Sequence, residues 1–187
     1  TANNKVWAAG VSGGLWSITN IENASSEWTK VSDFWDTLNI TCVASDPTDA
    51  NIIYLGTGEK RGSGLKGFGI WKTSDGGSTW SQLPSSTGLK YIDTIIVREE
   101  GGVGAVYAGG GRSLSEGEYT GVNGLQKSTD GGATWTEVLG EIAAGSSHHV
   151  TDLELDSNNR LIVGTRTNTF GDGGGQIFYS DDGAVFS

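Results

Sequence analysis

The chain has 187 residues, the size of one domain or of a piece of one. Its 12 Lys and Arg residues against 22 Asp and Glu residues give a net charge of −10, which argues against a nucleic-acid partner because such a partner selects a basic surface. No apolar run reaches the length of about 18 residues that a membrane span needs. The single cysteine, Cys42, excludes an internal disulfide and is predicted to be buried and inert.

Strand patterns follow one another along the chain in four similar units. Each unit contains short segments rich in β-branched and aromatic residues, separated by Gly, Asp and Asn turns, which is typical of antiparallel strands. We expect the units to be blades of a β-propeller, over these ranges: blade 1 (partial) 5–31, blade 2 39–83, blade 3 92–138 and blade 4 (partial) 150–187. The predicted fold is therefore all-β, with four-stranded antiparallel blades.

An eight-residue phrase marks three of these units. Residues 73–80 read TSDGGSTW, residues 128–135 read STDGGATW, and residues 179–186 read YSDDGAVF. The aspartates at 75, 130 and 181 are 130 − 75 = 55 and 181 − 130 = 51 residues apart, a period typical of stacked supersecondary units.

The phrase falls between the third and fourth strand of a blade, so it predicts a hairpin. An aspartate accepts hydrogen bonds from backbone N–H groups of its own turn, glycine permits positive φ, and the aromatic residue covers the hairpin. We therefore assign a structural role, not a catalytic one, to these positions: Asp75, Gly77, Trp80, Asp130, Gly132, Trp135, Asp181, Gly183 and Phe186.

The phrase resembles the Asp-box, or bacterial neuraminidase repeat. Residues 73–80 and 128–135 match that pattern in full, while 179–186 matches it at Asp181, Gly183 and Phe186. The resemblance implies a propeller of the kind found in sialidases, sortilin-type receptors and xyloglucan-degrading glycoside hydrolases, and a secreted or cell-surface location. Because the motif recurs in proteins of different activity, it does not select a function.

The first seventy residues look most similar to xyloglucanase (glycoside hydrolase family 74) and sortilin-type propellers. In those enzymes an Asp-Ile-Gly-Gly stretch supplies one catalytic carboxylate, and the second carboxylate comes from another propeller. The corresponding residues here are Val11-Ser12-Gly13-Gly14, with valine in place of the acid. Because glycoside hydrolysis needs two carboxyl groups across the sugar bond, the resemblance supports the fold and argues against activity of this chain alone.

The loops opposite the aspartate hairpins are longer and chemically richer. Aromatic rings beside carboxylates and amides suit carbohydrate binding, and propeller loops commonly carry function. We expect ligand contacts from this loop-rich face: Trp35, Asp36, Glu59, Arg61, Arg112, Glu118, Tyr119, His149 and Arg166. An arginine triad of the sialidase kind is a less favoured use of its three arginines.

No metal or cofactor is predicted. His148 and His149 are neighbours on a strand and point to opposite faces, and calcium at Asp172 or near Glu99 and Glu100 is only a minor alternative.

Three hypotheses stay open for the function. The leading one is a secreted, non-catalytic recognition module that binds glycan or protein. The alternatives are the amino-terminal part of a glycoside hydrolase and a structural module of a large surface protein. About three and a half blades are present, so we expect the remainder of a seven-bladed propeller, or a second copy of the chain, to cover the open strand edges.

Overall fold

The fold is all-β, as predicted. The computed structural model describes residues 5–31, 35, 37–59, 65–115, 118–143 and 146–187, without the side chains of 113–121 and 123. Apart from a 3₁₀ turn at Pro84–Ser86, these residues form strands, turns and loops. In this part of the chain no helix has the length and apolar character that crossing a membrane would require.

The strands form successive antiparallel sheets in which neighbours in sequence are neighbours in space. Blade 1 contains β1 (Lys5–Gly10), β2 (Gly14–Thr19) and β3 (Thr29–Lys30). Blade 2 contains β4 (Ile40–Ser45), β5 (Ile53–Thr57), β6 (Ile70–Thr73) and β7 (Ser81–Gln82). Blade 3 contains β8 (Ile92–Glu100), β9 (Val103–Ser115), β10 (Glu118–Ser128) and β11 (Thr136–Glu137).

A two-stranded ribbon, β12 (Glu141–Ala143) with β13 (Ser146–Ser147), precedes blade 4. Blade 4 contains β14 (His149–Leu155), β15 (Leu161–Arg166) and β16 (Ile177–Ser180). Tyr179 on β16 exchanges two backbone hydrogen bonds of 3.1 Å with Ser187, so the returning chain pairs there as well.

The connections divide between two faces because strands in a meander alternate in direction. The bottom face carries the β4–β5, β8–β9 and β14–β15 turns together with the aspartate hairpins 73–80, 128–135 and 180–186. The top face carries the β5–β6, β9–β10 and β15–β16 connections and the segments between blades. These two names are used below in this sense.

The apolar core lies between the blades as three clusters. Leu15, Ile40 and Leu55 pack between blades 1 and 2. A cluster between blades 2 and 3 includes Tyr54 and Val106, and a third joins blades 3 and 4. Each blade thus buries its apolar face against its neighbour and not within itself, as expected when stacked units share a continuous core.

A lysine and an aromatic ring reach from each blade to the aspartate hairpin of the next. At the junction of blades 2 and 3, the Lys72 ammonium lies 5.2 Å from the centre of the Tyr54 ring and donates to the Gly131 carbonyl at 3.0 Å. At the junction of blades 1 and 2, Lys5 lies 4.1 Å from the Trp7 ring and 3.4 Å from the Gly76 carbonyl. Cation–π attraction and a charge-assisted hydrogen bond therefore act together at each junction.

The junction of blades 3 and 4 keeps the pair and adds an arginine. Lys127 lies 5.2 Å from the Tyr107 ring. The contact to the next hairpin is made by Arg98, whose guanidinium donates to the Asp181 carbonyl. The repeated pair is thus a structural element of the blade, adapted at the third junction.

One sequence expectation about the top face was wrong. The segment from Arg112 to Tyr119 was expected to be a loop, but β9 continues to Ser115 and β10 begins at Glu118, with Arg112 paired with Gly121 and Leu114 with Tyr119. Gly110 and Gly111, just before this segment, suggested a loop, yet glycine also lies in strands where another group approaches closely. A Cβ on Gly110 would lie 2.1 Å from the Tyr91 carbonyl oxygen.

Candidate functional site

The aspartate hairpins on the bottom face are held by their own side chains. Asp75 Oδ1 accepts from the Thr79 backbone N–H at 2.9 Å and from the Thr73 hydroxyl at 2.7 Å, and Asp75 Oδ2 accepts from the Thr79 hydroxyl at 2.6 Å. These hydrogen bonds, led by that from the Thr79 hydroxyl, hold the pKa of Asp75 well below its ordinary value. Both carboxylate oxygens accept hydrogen bonds within the turn, which suits a structural role.

The second hairpin repeats this arrangement atom for atom. Asp130 accepts from the Thr134 backbone N–H at 2.9 Å and from the Thr134 and Ser128 hydroxyls at 2.6 and 2.8 Å. Gly77 and Gly132 follow the two aspartates with φ of 83° and 94°. Their N–H groups donate to the hydroxyl oxygens of Thr73 and Ser128, each at 2.9 Å.

The third hairpin is one residue shorter, and this changes the role of Asp181. Asp182, not Asp181, accepts from the Ser180 hydroxyl at 3.1 Å and from the backbone N–H groups of Ala184 and Val185 at 2.9 Å. The assignment of Asp181 by simple alignment was therefore wrong. Its carboxylate instead pairs with the exposed Arg160 guanidinium at 2.7 Å.

A cavity of about 210 Å³ opens on the top face where blades 2, 3 and 4 meet. It is lined by Glu59 after β5, Asp93 on β8, Thr151 on β14 and Arg166 at the end of β15. Two carboxylates, a hydroxyl and a guanidinium thus converge on one space. Such a set supplies hydrogen-bond acceptors and donors in nearly equal measure.

Asp93 is fixed in this cavity by a buried histidine. His149, which is 0% exposed, places Nε2 2.5 Å from Asp93 Oδ2. The ring fits because β9 carries glycine at 111, where a Cβ would lie 2.5 Å from His149 Nδ1 and Cε1. The pair joins blade 3 to blade 4 and leaves the carboxylate 22% exposed toward the cavity.

The two adjacent histidines point in different directions, as their places next to each other on an extended chain predict. His148 packs edge-on against Phe178, with ring centres 4.9 Å apart, and burial lowers its pKa. Among the described residues no group of three or more His, Cys, Asp or Glu side chains could hold a metal ion. The Asp172 carboxylate accepts from the Ser146 hydroxyl at 2.6 Å.

The structure brings three of the predicted ligand residues together. Glu59 and Arg166 line the cavity, and His149 lies beneath it. Arg112 lies farther along the top face, with its guanidinium 5.4 Å from the centre of the Phe170 ring. Asp36 and Arg61 lie outside the described residues, as do the side chains of Glu118 and Tyr119, so their part in the site stays a prediction.

Trp35 does not stand on the top face as an open platform, and that expectation was wrong. Its ring stacks on Trp71 with centres 4.6 Å apart and planes 7° apart, and lies 5.8 Å from Trp80. Trp7 meets Trp80 edge-on at 5.5 Å. Trp35 therefore closes the core between blades 1 and 2, because its large apolar surface is better covered there than in water.

Val11 lies in the turn between β1 and β2. Gly13 N–H donates to the Gly10 carbonyl at 3.2 Å, and Gly14 N–H donates to Leu38 on the segment leading to blade 2 at 3.0 Å. The turn therefore belongs to the top face, with a half-buried valine at the position where the resemblance places an acid.

Xyloglucanases are similar in sequence to this chain over most of its length. Xyloglucanase Xgh74A of Acetivibrio thermocellus is 32% identical over 142 residues, which is 70% of this chain and 15% of that protein. A xyloglucanase of a Paenibacillus species is 32% identical over 130 residues, 63% of this chain and 12% of its own length. The chain is homologous to a segment of these xyloglucanases. It spans a small part of their length, and no protein-family model matches it.

Solved structures of two GH74 enzymes confirm the propeller fold. An ancestral GH74 enzyme superposes with a TM-score of 0.68 at 18% identity, over 98% of this chain and 22% of that protein. The GH74 enzyme of Niastella koreensis gives a TM-score of 0.50 at 20% identity, over 98% of this chain and 35% of that protein. At these identities the likeness concerns the fold.

Sequence reasoning missed Asp93 and Thr151. Both lie on the first strand of a blade, just where the register shifts between β8 and β9 and between β14 and β15. The available signal was a polar residue inside an apolar run, as in Tyr91-Ile92-Asp93-Thr94-Ile95. That run was interpreted only as a strand, although a bulge re-aims a side chain and often lies beside a site.

Proposed function

We propose that this chain is a secreted, glycan-binding segment of a xyloglucanase-like β-propeller, and that it holds a neutral polysaccharide on its top face without cleaving it. The observation that carries the proposal is the cavity lined by Glu59, Asp93, Thr151 and Arg166. Carboxylates accept from sugar hydroxyls, and the guanidinium donates to sugar oxygens. The relatives named as xyloglucanases make a plant-type β-glucan the natural first probe.

The size of the cavity limits what can enter it. At about 210 Å³ it is smaller than the roughly 300 Å³ at which pockets for drug-sized ligands begin, so it suits one sugar unit or a branch, with the rest of the polysaccharide lying across the face. His149 supports the proposal because it holds Asp93 before any ligand arrives. A fixed carboxylate loses less conformational entropy on binding than a mobile one.

Absence of cleavage rests on Val11. A valine side chain can neither donate a proton nor act as a nucleophile, so the first blade lacks the group that the resemblance would require. The bottom-face aspartates do not replace it, because Asp75 and Asp130 are hydrogen-bonded within their own hairpins.

The alternative is a glycoside hydrolase in which this segment contributes part of the active site. Glu59 and Asp93 favour it, because two carboxylates line one cavity. Under this hypothesis the protein would release reducing sugar from xyloglucan, and Glu59→Gln would abolish that release. A purely structural module would show neither binding nor release.

Calorimetric titration of the protein with xyloglucan oligosaccharides tests the proposal. We expect binding with no reducing sugar released, and a loss of affinity of about tenfold in Glu59→Gln, the effect of losing roughly one good hydrogen bond to a charged group. Glu22→Gln makes the same chemical change at an exposed residue of the β2–β3 connection, on the bottom face, and is the matched control.

The outcomes separate the hypotheses. Binding without turnover that falls in Glu59→Gln and not in Glu22→Gln supports the proposal. Turnover supports the hydrolase. No binding to xyloglucan, to unbranched β-1,4-glucan or to other neutral glycans would remove the glycan proposal.

A further inference from the structure

An exposed phenylalanine stands on the top face at the end of a tightly built loop. The loop follows β15, whose last residue, Arg166, lines the cavity. Phe170 comes four residues later and is 47% exposed. Covering an exposed aromatic ring gains free energy because apolar surface leaves water. The contacts that hold the loop under Phe170 decide whether the ring is in place for such a partner.

Asn168 holds this loop from below. It is 5% exposed, and its side-chain amide uses both ends. Its Nδ2 donates to Ser146 Oγ at 2.9 Å and to the Ser147 carbonyl at 3.0 Å, while Oδ1 accepts from the backbone N–H groups of Phe170 and Asp172 at 2.9 and 3.0 Å. A buried amide with four partners rigidifies its surroundings.

The loop also closes on itself. Asn168 N–H donates to the Asp172 carbonyl at 2.9 Å, and Gly171 N–H donates to the Asn168 carbonyl at 3.2 Å. The Asp172 carboxylate accepts from the Ser146 hydroxyl at 2.6 Å, which ties the loop to β13. These hydrogen bonds therefore pre-organise residues 168–172, and with them the backbone that carries Phe170.

Arg112 completes the surface beside the ring. Its guanidinium carbon is 5.4 Å from the Phe170 ring centre, and its backbone carbonyl accepts from the Thr169 hydroxyl. Arg112 also follows Gly111, against which the His149 ring packs. Phe170 and Arg112 are thus linked to the cavity through neighbouring residues. Arg166, four positions before Phe170, lines the cavity, and Gly111, next to Arg112, packs against the His149 ring that holds Asp93.

We propose that Phe170 is a stacking platform for one sugar ring of a neutral β-linked polysaccharide, with the Arg112 guanidinium beside it for the sugar's oxygens. The apolar C–H face of a pyranose covers an aromatic ring, which removes the exposed surface from water. Because the loop is already ordered, binding costs little further conformational entropy. This inference rests on the proposed function, since it adds a second contact for the polysaccharide held at the cavity.

A second exposed aromatic residue, on the bottom face, offers a matched control. Tyr179 on β16 is 44% exposed, and the Arg160 guanidinium carbon lies 4.8 Å from its ring centre. It has the same exposure and the same kind of arginine contact, but it stands beside the bottom-face hairpin of blade 4. Any general effect of losing an exposed ring therefore appears in Tyr179→Ala as well.

The test is a titration of the protein with xyloglucan oligosaccharides and unbranched β-1,4-glucan oligosaccharides, followed by calorimetry and by proton NMR of the sugar. In Phe170→Ala we expect affinity to fall about tenfold, and the ring-current shifts of sugar C–H protons to disappear. Phe170→Trp is expected to keep both. Tyr179→Ala is expected to bind like the wild type, and thermal unfolding checks that each variant is folded.

Asn168→Ala separates positioning from contact. If Asn168 acts through Phe170, its loss weakens binding in the wild type and adds nothing in the Phe170→Ala background. A wild type that binds while Phe170→Ala binds equally well would overturn the platform and leave the cavity proposal standing. Equal losses in Phe170→Ala and Tyr179→Ala would overturn it too, and a wild type that binds no glycan would overturn both proposals.

Discussion

The bottom and top faces of this propeller segment are built on different rules. On the bottom face the same atoms recur in blades 2 and 3: an aspartate carboxylate, a hydroxyl two residues before it and a threonine N–H four residues after it. On the top face the corresponding connections differ, with a loop after β5, a long β9–β10 hairpin and a pre-organised loop after β15. The hydrogen bonds that repeat have structural roles, whereas the candidate binding residues lie where the connections differ between blades.

The comparison also separates two uses of carboxylates. In Asp75 and Asp130 both carboxylate oxygens accept hydrogen bonds within their own turns. Asp93 is held on one side by His149 and faces a cavity on the other. A carboxylate with its hydrogen bonds satisfied locally stabilises a hairpin, whereas one held at a single oxygen keeps capacity for a ligand.

The largest effect is expected where a bottom hairpin meets the neighbouring blade. Gly77→Ala places a Cβ 2.1 Å from a ring carbon of Trp7 at a φ of 83°, so overpacking and backbone strain add, at a cost of roughly 3 kcal/mol in unfolding free energy. Gly76→Ala, at a φ of 67° with its nearest contact at 3.6 Å, suffers only the strain, about 1–2 kcal/mol. Urea unfolding measures both, and equal losses would contradict the role of the Trp7 contact.

A smaller loss of stability, with a loss of binding, is expected beneath the top cavity. Gly111→Ala would press on the buried His149 ring, at a cost of about 1–3 kcal/mol, and would displace Asp93. Gly140→Ala has no neighbour within 4 Å and should change stability by no more than about 0.5 kcal/mol. If Gly111→Ala bound β-glucan oligosaccharides as well as Gly140→Ala, His149 would not be what positions Asp93 for a ligand.

The smallest effect concerns the register of the third hairpin. Asp182→Ala should lower the thermal unfolding midpoint, whereas Asp181→Ala should leave it nearly unchanged, because only Asp182 accepts from the turn N–H groups and Asp181 pairs with an exposed arginine. If instead Asp181→Ala lowered the midpoint and Asp182→Ala did not, Asp181 would be the turn aspartate that the alignment of the three phrases predicts.

The pH dependence of that hairpin has a definite sign. Hydrogen bonds from the backbone of Val185 and Ala184 lower the folded pKa of Asp182 to about 2, from an ordinary 3.8. Its stabilising contribution is therefore present above about pH 4 and is lost as the pH falls toward 2. Asp182→Asn should flatten acid unfolding in this window, as measured by circular dichroism.

Much of the fold was predictable because local patterns agree with the global arrangement. The strand Ile53–Thr57 is mostly apolar and is buried at every position, and the hairpin at 73–80 has the turn residues that its hydrogen bonds require. The extended β9–β10 hairpin was not predictable from propensity. Gly109, Gly110 and Gly111 suggest a loop, but they lie in a strand because Val150, Tyr91 and His149 occupy the space beside them.

The candidate site was only half predictable for a related reason. Glu59 and Arg166 stand at strand ends, where polar residues are noticed. Asp93 is inside a strand, and its exposure to the cavity depends on a register shift and on a histidine 56 residues away. Trp35 has the aromatic ring of a sugar platform, yet it contacts Trp71 and Trp80 once blades 1 and 2 have packed.

The lysine and aromatic pair at the blade junctions has an evolutionary consequence. Each junction contains its own ammonium and ring, at Lys5 and Trp7, Lys72 and Tyr54, and Lys127 and Tyr107. A gene duplication or deletion that adds or removes one whole unit therefore creates a new boundary whose chemistry is already complete. The lysine and ring of one junction do not depend on those of the others, so this element does not limit the number of blades.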